Sequence, residues 1–221
     1  MADDNGVTQN PKKAKYLVVM QGYGDTGYVR LDYKFAGSMI TRVTFLDSAL
    51  QVPNGKYSGY NSAGYLVEDG NYFKGKKEGV WYVYNDTSHA IIKNNYHLDT
   101  LLSVINLDSL DKEKEKTPHD TTGEIEAVYK GGDGKIMKII QSKIVVPDRM
   151  ASLTKGGTTS VRFVVDTNGK PRDIEILKST EFSFDEEAKR VISLLTDWIP
   201  ASDKGKKVNA YRIQPITVVL E

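Results

Sequence analysis

Several short patterns in this sequence carry residue types that could do chemistry. Gly22-Tyr-Gly24-Asp-Thr-Gly27 has the G-x-G-x-x-G frame of a dinucleotide-binding loop and follows the apolar run Tyr16–Met20. Such a loop works only where it opens a helix whose N-terminus holds the pyrophosphate. Here Tyr28-Val-Arg-Leu-Asp-Tyr-Lys-Phe35 alternates like a strand, so the glycines are expected in a hairpin turn. Gly131-Gly132-Asp133-Gly134-Lys135 has the look of a phosphate loop, but Ile136 stands where the magnesium-binding hydroxyl belongs, and a flexible helix entry is the better account. The only histidines, His89, His97 and His119, show no metal-ligand spacing, and no cysteine is present to complete a site. Asp185, Glu186 and Glu187 could serve acid–base catalysis, yet they fall in the first turn of a predicted helix, where negative charge complements the helix dipole. No catalytic residue, metal or cofactor is therefore expected, and the chain is read as a non-enzyme. Tyr57, Tyr60, Trp81 and Tyr84 form a candidate aromatic surface for glycans or peptides, with cross-strand core packing as the competing account.

The bulk composition narrows the partners. Thirty basic residues against 29 acidic ones leave a net charge of +1, so no global field draws the chain to nucleic acid or anionic membranes. With 39% hydrophobic residues in 221 the chain can bury real cores, and its lack of cysteine excludes disulfides. No apolar run approaches the roughly 18 residues of a membrane span. Residues 1–15 are polar and are expected to be a disordered tail.

Those patterns must be held by elements of two different rhythms. From 16 to 105 the chain is rich in Tyr, Gly and Val in short alternating stretches, which predicts successive antiparallel strands. Gly55-Lys-Tyr57-Ser-Gly-Tyr60-Asn61 aligns with Gly79-Val-Trp81-Tyr-Val-Tyr84-Asn85 at an offset of 24, and Asn71-Tyr72 aligns with Asn95-Tyr96 at the same offset. A unit this short cannot fold alone, so each is expected to supply a hairpin buried against its neighbour. Leu98, Leu101, Leu102 and Ile105 recur at helical spacing and predict a short amphipathic helix closing this half. Residues 106–124 are charged and aperiodic, as an exposed linker would be. In 125–221, Ile136, Ile139, Ile140 and Ile144 predict a helix stopped by Pro147. Val161, Phe163 and Val165 alternate up to Asn168-Gly169, a positive-φ pair suited to a tight hairpin, and Ile174 and Ile176 alternate on the return. Ser183 and Glu186 have the spacing of a capping box for a helix carrying Phe184, Ala188, Val191, Ile192 and Leu195, and Val208–Leu220 reads as a last strand. The fold class expected is α+β: a β-hairpin repeat module, then a small domain with two helices on a three-stranded antiparallel sheet.

Two resemblances follow. The stretch 54–96, with Asn71-Tyr72-Phe73-Lys74-Gly75 and Gly79-Val80-Trp81 inside it, resembles the MORN-like repeats of the YwqK-type antitoxin family. From about 126 to 220, Tyr129-Lys-Gly131-Gly132, Val146-Pro147, Val161-Arg-Phe163-Val-Val165-Asp-Thr-Asn-Gly169, Asp185-Glu186-Glu187-Ala188, Trp198-Ile-Pro200, Gly205-Lys206-Lys207-Val208 and Gln214-Pro215-Ile216 resemble the TonB C-terminal domain of Bacteroidetes-type sequences. That second resemblance implies a periplasmic or envelope-attached protein, reached after removal of a signal peptide or anchor. It also implies a role linked to transmembrane transport and a protein partner, the TonB box of an outer-membrane receptor. The membrane anchor and Pro-rich spacer of TonB-type transducers do not appear in this sequence, whose seven prolines are scattered. An envelope adaptor or antitoxin-like scaffold without energy transduction is therefore the alternative.

The residues also argue for the contact independently. A hairpin plus one later strand leaves the last strand at the sheet edge, and Pro215 fits there because proline cannot donate to a ladder. An edge can accept an extended segment of another protein as an added strand. Tyr211, Arg212, Ile213, Gln214 and Ile216 are the expected contact residues. About four to six backbone hydrogen bonds at roughly 1 kcal/mol each, less the ordering cost, give an affinity on the order of micromolar or weaker. The same edges can pair with each other, which allows a homodimer.

Overall fold

The computed structural model describes residues 2–3, 6–7, 10, 13–23, 27–85, 89–107, 124–153 and 156–220. The chain forms two compact units, residues 1–118 and 119–221. Most of the expected linker, residues 108–123, lies outside the described residues.

The first unit is one antiparallel sheet. Strands β3 (Tyr16–Tyr23), β4 (Gly27–Lys34), β5 (Met39–Phe45), β6 (Pro53–Tyr60), β7 (Leu66–Phe73), β8 (Lys76–Tyr84), β9 (Ala90–His97) and β10 (Thr100–Asn106) pair in chain order as an eight-stranded meander. Within the expected tail, β1 (Ala2–Asp3) and β2 (Gly6–Val7) pair with each other, and Ala2 also pairs with Tyr16. The helix expected over Leu98–Ile105 is not formed. Leu98 and Asp99, at φ 46° and 72°, make the tight turn into β10, whose seven residues are all exposed. Helical spacing misled here because an edge strand exposed on both faces has no buried side to impose alternation. The Gly22–Gly27 motif joins β3 to β4, with Gly22 opposite Tyr28 and Tyr23 opposite Gly27. Its tip, 24–26, lies outside the described residues, and the strand that follows it removes the helix a dinucleotide loop needs.

The 24-residue offset has a physical basis. Gly55 faces Tyr72 across β6–β7, and Gly79 faces Tyr96 across β8–β9, both glycines in the left-handed region at φ 95° and 68°. The turns Lys74-Gly75 and Leu98-Asp99 repeat at the same offset with positive φ throughout, as a primed two-residue turn demands. Each turn donates back to the strand ahead of its own hairpin: Gly75 N, between β7 and β8, to Pro53 O of β6 at 2.7 Å, and Asp99 N, between β9 and β10, to Lys77 O of β8 at 2.9 Å. The paired aromatics converge on Trp81, which is fully buried. Tyr57 stacks on it at 5.5 Å, Tyr72 meets it edge-on at 5.1 Å and Tyr96 at 6.2 Å. Residue 70 must be glycine, since a Cβ there would lie inside van der Waals contact of the Trp81 ring.

The second unit is α+β. Helices α1 (Gly132–Lys143), α2 (Asp148–Leu153) and α3 (Phe182–Ser193) accompany a sheet of order β14 (Pro171–Lys178), β13 (Gly156–Val165), β18 (Ala210–Val219). Short ladders flank it: β11 (Glu124–Ile125) with β16 (Ala201–Asp203) and β17 (Lys206–Val208), and β12 (Val128–Tyr129) with β15 (Trp198–Ile199). Helix α3 packs on β13 and β14, burying Phe184, Ala188, Val191 and Ile192 against Val161, Phe163 and Val165.

Two local expectations change. The hairpin β13–β14 does not turn on a positive-φ pair, because only Gly169 is left-handed, at φ 76°. The Asp166 carboxylate instead accepts from Asn168 N at 2.8 Å and Lys170 N at 2.9 Å, building a longer loop around the side chain. The capping box on α3 is likewise replaced. Glu181 is the N-cap, accepting from Ser183 N at 2.9 Å, while its other oxygen takes Arg149 Nε at 2.5 Å from α2. Glu186 pairs with Lys189 on the helix surface instead.

Two carboxylates of this unit are held below their ordinary range. Glu187 is lowered chiefly by the Arg190 hydrogen bond and also by Val145 N, and Asp166 chiefly by the backbone N–H of Lys170. A carboxyl with a depressed folded pKa contributes stability above its unfolded pKa, and that contribution is lost as pH falls through the folded value. The thermal melt of the second unit, followed on residues 119–221, where Trp198 is the one tryptophan, should therefore drop on acidification below the ordinary carboxylate range. Glu187→Gln combined with Asp166→Asn should flatten that dependence.

Candidate functional site

The candidate site is the free side of β18. All ten of its residues pair antiparallel with β13, from Ala210 opposite Val165 to Val219 opposite Gly156. Among the described residues it has no second neighbour, so the last strand lies at the edge and the hairpin's first strand is central. The side chains alternate: Tyr211 is 72% exposed, Ile213 56% and Val219 81%, whereas Ile216 is 2% exposed. Ile216 thus belongs to the core, and its side chain is not a contact residue. Arg212 and Gln214 are half-buried on the same inner face. The Arg212 guanidinium reaches Glu126 at 3.3 Å and lies 5.8 Å from the Trp198 ring centroid, while Trp198 packs edge-on against Tyr129 at 5.2 Å.

The backbone has a matching phase. A ladder accepts proline only where its nitrogen faces away from the neighbour, which puts the polar groups of residue 215, and of 211, 213, 217 and 219, on the open side. The Thr158 and Thr217 hydroxyls, 2.9 Å apart across the directly opposed pair, fit the close approach of a pair that exchanges no backbone bonds. Gln214 Nε2 donates to the Pro215 carbonyl at 3.0 Å, occupying one of the open acceptors. On the outer face Arg162 stands 5.7 Å from the Tyr211 ring centroid and 2.7 Å from Glu175. Sequence reasoning missed Thr217 and Val219 as members of this exposed row; the period-2 continuation from Ile213 was the signal for them.

The other candidates fall elsewhere. Trp81 is fully buried and Tyr84 is 7% exposed, with its hydroxyl donating to Asp69 at 2.9 Å; Tyr57 and Tyr60 are half-buried. Trp81 and Tyr84 are therefore core residues, and of the four only Tyr57 and Tyr60 keep partial exposure. Asp185, read as a helix-dipole residue, is fully buried and accepts from Thr159 Oγ1 at 2.8 Å, Ser179 Oγ at 2.5 Å and Thr180 N at 3.1 Å. Gly131, at φ 100°, caps α1 as the expected helix entry. His97 Nδ1 lies 3.1 Å from Glu78, whose carboxyl is lowered first by the backbone N–H of Leu98. His119 lies outside the described residues, and among those described no cluster of three or more His, Asp or Glu could hold a metal ion.

Comparison with known families bears on the same strand. Residues 143–219 match the family model of the Gram-negative bacterial TonB protein C-terminal. The match runs from the last residue of α1 to the last of β18, so the whole open edge falls inside the matched segment, while the hairpin-repeat unit lies outside it. No curated protein and no solved structure matches the chain. Among the described residues no helix is long and apolar enough to cross a membrane.

Proposed function

We propose that the chain is a non-enzymatic, TonB-like protein of the bacterial cell envelope, working with transmembrane transport. Its β18 edge takes up an extended segment of an envelope protein, the TonB box of an outer-membrane receptor, as an added strand. The observation that carries this reading is a ten-residue strand inside the TonB C-terminal match that, among the described residues, pairs on one side only. An incoming strand meets the N–H groups of 211, 213, 217 and 219, with Tyr211 and Ile213 exposed beside them for side-chain contact. The MORN-like hairpin module, 16–105, and the TonB-like domain, 125–221, act as two binding domains joined through 106–124.

The chain contains no cysteine, so Ile213→Cys gives a single thiol on the edge. Incubated with a TonB-box peptide bearing cysteine, this variant should form a mixed disulfide far faster than a Met20→Cys control, whose site on β3 is 65% exposed. Equal rates at the two positions would remove the strand-addition reading.

A second reading is favoured by the size of the first unit, residues 1–118, which lies wholly outside the matched segment. In it the chain is an envelope adaptor or antitoxin-like scaffold, and the TonB-like domain only anchors the hairpin module. Pull-down from outer-membrane extract with the full chain separates the two: recovery of a transporter supports the first reading, and recovery only of other proteins supports the second.

A further inference from the structure

We propose that Gln214 and Pro215 set the register of the strand added to β18, by making residue 215 a gap in the row of backbone groups that an incoming peptide meets. The proposal rests on the reading of β18 as a docking edge and adds which position of the docked peptide goes unmatched. Along the open side the row is 211, 213, 215, 217 and 219, and every member except 215 brings both an N–H and a carbonyl. Pro215 has no N–H to offer. Its carbonyl, on the same open side, already accepts from Gln214 Nε2 at 3.0 Å. The backbone of Gln214 has the other phase and faces β13, opposite Val161, so only its side chain reaches across to the open side. Residue 215 thus presents an engaged carbonyl and no donor, between Ile213 and Thr217, which present both groups.

The gap gives the partner a defined chemistry. A peptide residue whose N–H points at 215 finds its acceptor taken, whereas a residue without an N–H loses nothing there. The occupant that fits is an extended segment with proline at the position whose N–H would point at 215. The same proline set against Ile213 or Thr217 leaves an open carbonyl of β18 without its donor. This separates registers that side chains alone do not. A slip by two residues keeps every peptide side chain on its own face, and Tyr211, Ile213, Thr217 and Val219 form one exposed row along β18. Only at 215 does the backbone row change, so a two-residue slip moves the peptide's proline from the gap onto a working acceptor.

The test uses the full chain and a synthetic TonB-box peptide long enough to span the ten residues of β18. Its amides are replaced by esters one at a time. Each replacement removes one N–H and keeps the side chain, and affinity is read from the anisotropy of a fluorophore on the peptide. With the parent chain, esters at alternate residues weaken binding by about fivefold, the loss of one hydrogen bond. The residue pointing at 215 is the exception. Three consecutive residues therefore accept the ester within about twofold, between two that do not. Either strand direction gives this run, because N–H groups alternate sides along any strand. Gln214→Ala frees the Pro215 carbonyl, and the middle residue of the run becomes as sensitive as the other alternate residues. Circular dichroism checks that this variant keeps its sheet, and the parent profile stands if it does not. Strict alternation with the parent chain overturns the proposal, as does a run of three that persists in folded Gln214→Ala. No binding of the peptide, or equal tolerance at every residue, overturns the strand-addition reading itself and this proposal with it.

Discussion

Trp81→Ala should destabilise the first unit by about 3–5 kcal/mol, the range for deleting a large buried aromatic. The ring is fully buried among Tyr57, Tyr72 and Tyr96, lies on the backbone at Gly70 and donates from Nε1 to Asn71 O at 3.1 Å. Lys77 Nζ stands 4.0 Å above its centroid, held also by Glu68 at 2.6 Å, so truncation removes a cation–π contact together with the packing. The chain has two tryptophans, Trp81 in the first unit and Trp198 in the second. Far-UV circular dichroism of the variant should show the first unit's melt displaced to lower temperature, while Trp198 fluorescence reports the second unit's melt where it was. A Trp81→Ala melt that superimposes on the parent would show that the aromatic cluster does not hold the hairpins together.

Asp185→Ala should cost the second unit about 3–5 kcal/mol, because a fully buried carboxylate serves three donors there. Thr159 Oγ1 comes from β13, and Ser179 Oγ and Thr180 N from the segment between β14 and α3, so one side chain ties the sheet to the start of its covering helix. Truncation leaves those three groups buried without their acceptor, which is worse than never having had it. Asp185→Asn keeps an acceptor oxygen and should cost less than the alanine variant. Denaturant unfolding of residues 119–221, where Trp198 is the one tryptophan, gives the difference; a midpoint unchanged in Asp185→Ala would rule out this tie.

Much of the fold was legible where one face of an element is buried. Val161, Phe163 and Val165 alternate because that side meets α3, and Ile136 and Ile140 mark the buried side of α1. The open edge could be read from Pro215 and from the order of hairpin and final strand, both properties of backbone hydrogen bonding. The hairpin repeat could be read at an offset of 24 because its glycines and aromatics fall into cross-strand pairs. Illegible were features set by contacts distant in sequence. Glu181 caps α3 instead of Ser183 because Arg149, 32 residues earlier, holds its carboxylate in place. Ile216 looked like its neighbours on the edge strand, and only the packing of the opposite face decides that its side chain turns inward. Strand β10 has the residue spacing of a helix because neither of its faces is covered, and nothing imposes alternation on it.

The turns that donate back to the strand ahead of their own hairpin give the first unit a property of its own. Since Gly75 holds Pro53 and Asp99 holds Lys77 in the same way, the join between one hairpin and the next is the same join each time. A sheet assembled so behaves like a ruler with one graduation per hairpin. Its reach can lengthen or shorten by whole graduations during evolution, by duplication or loss of a 24-residue cassette, without redesign of either end.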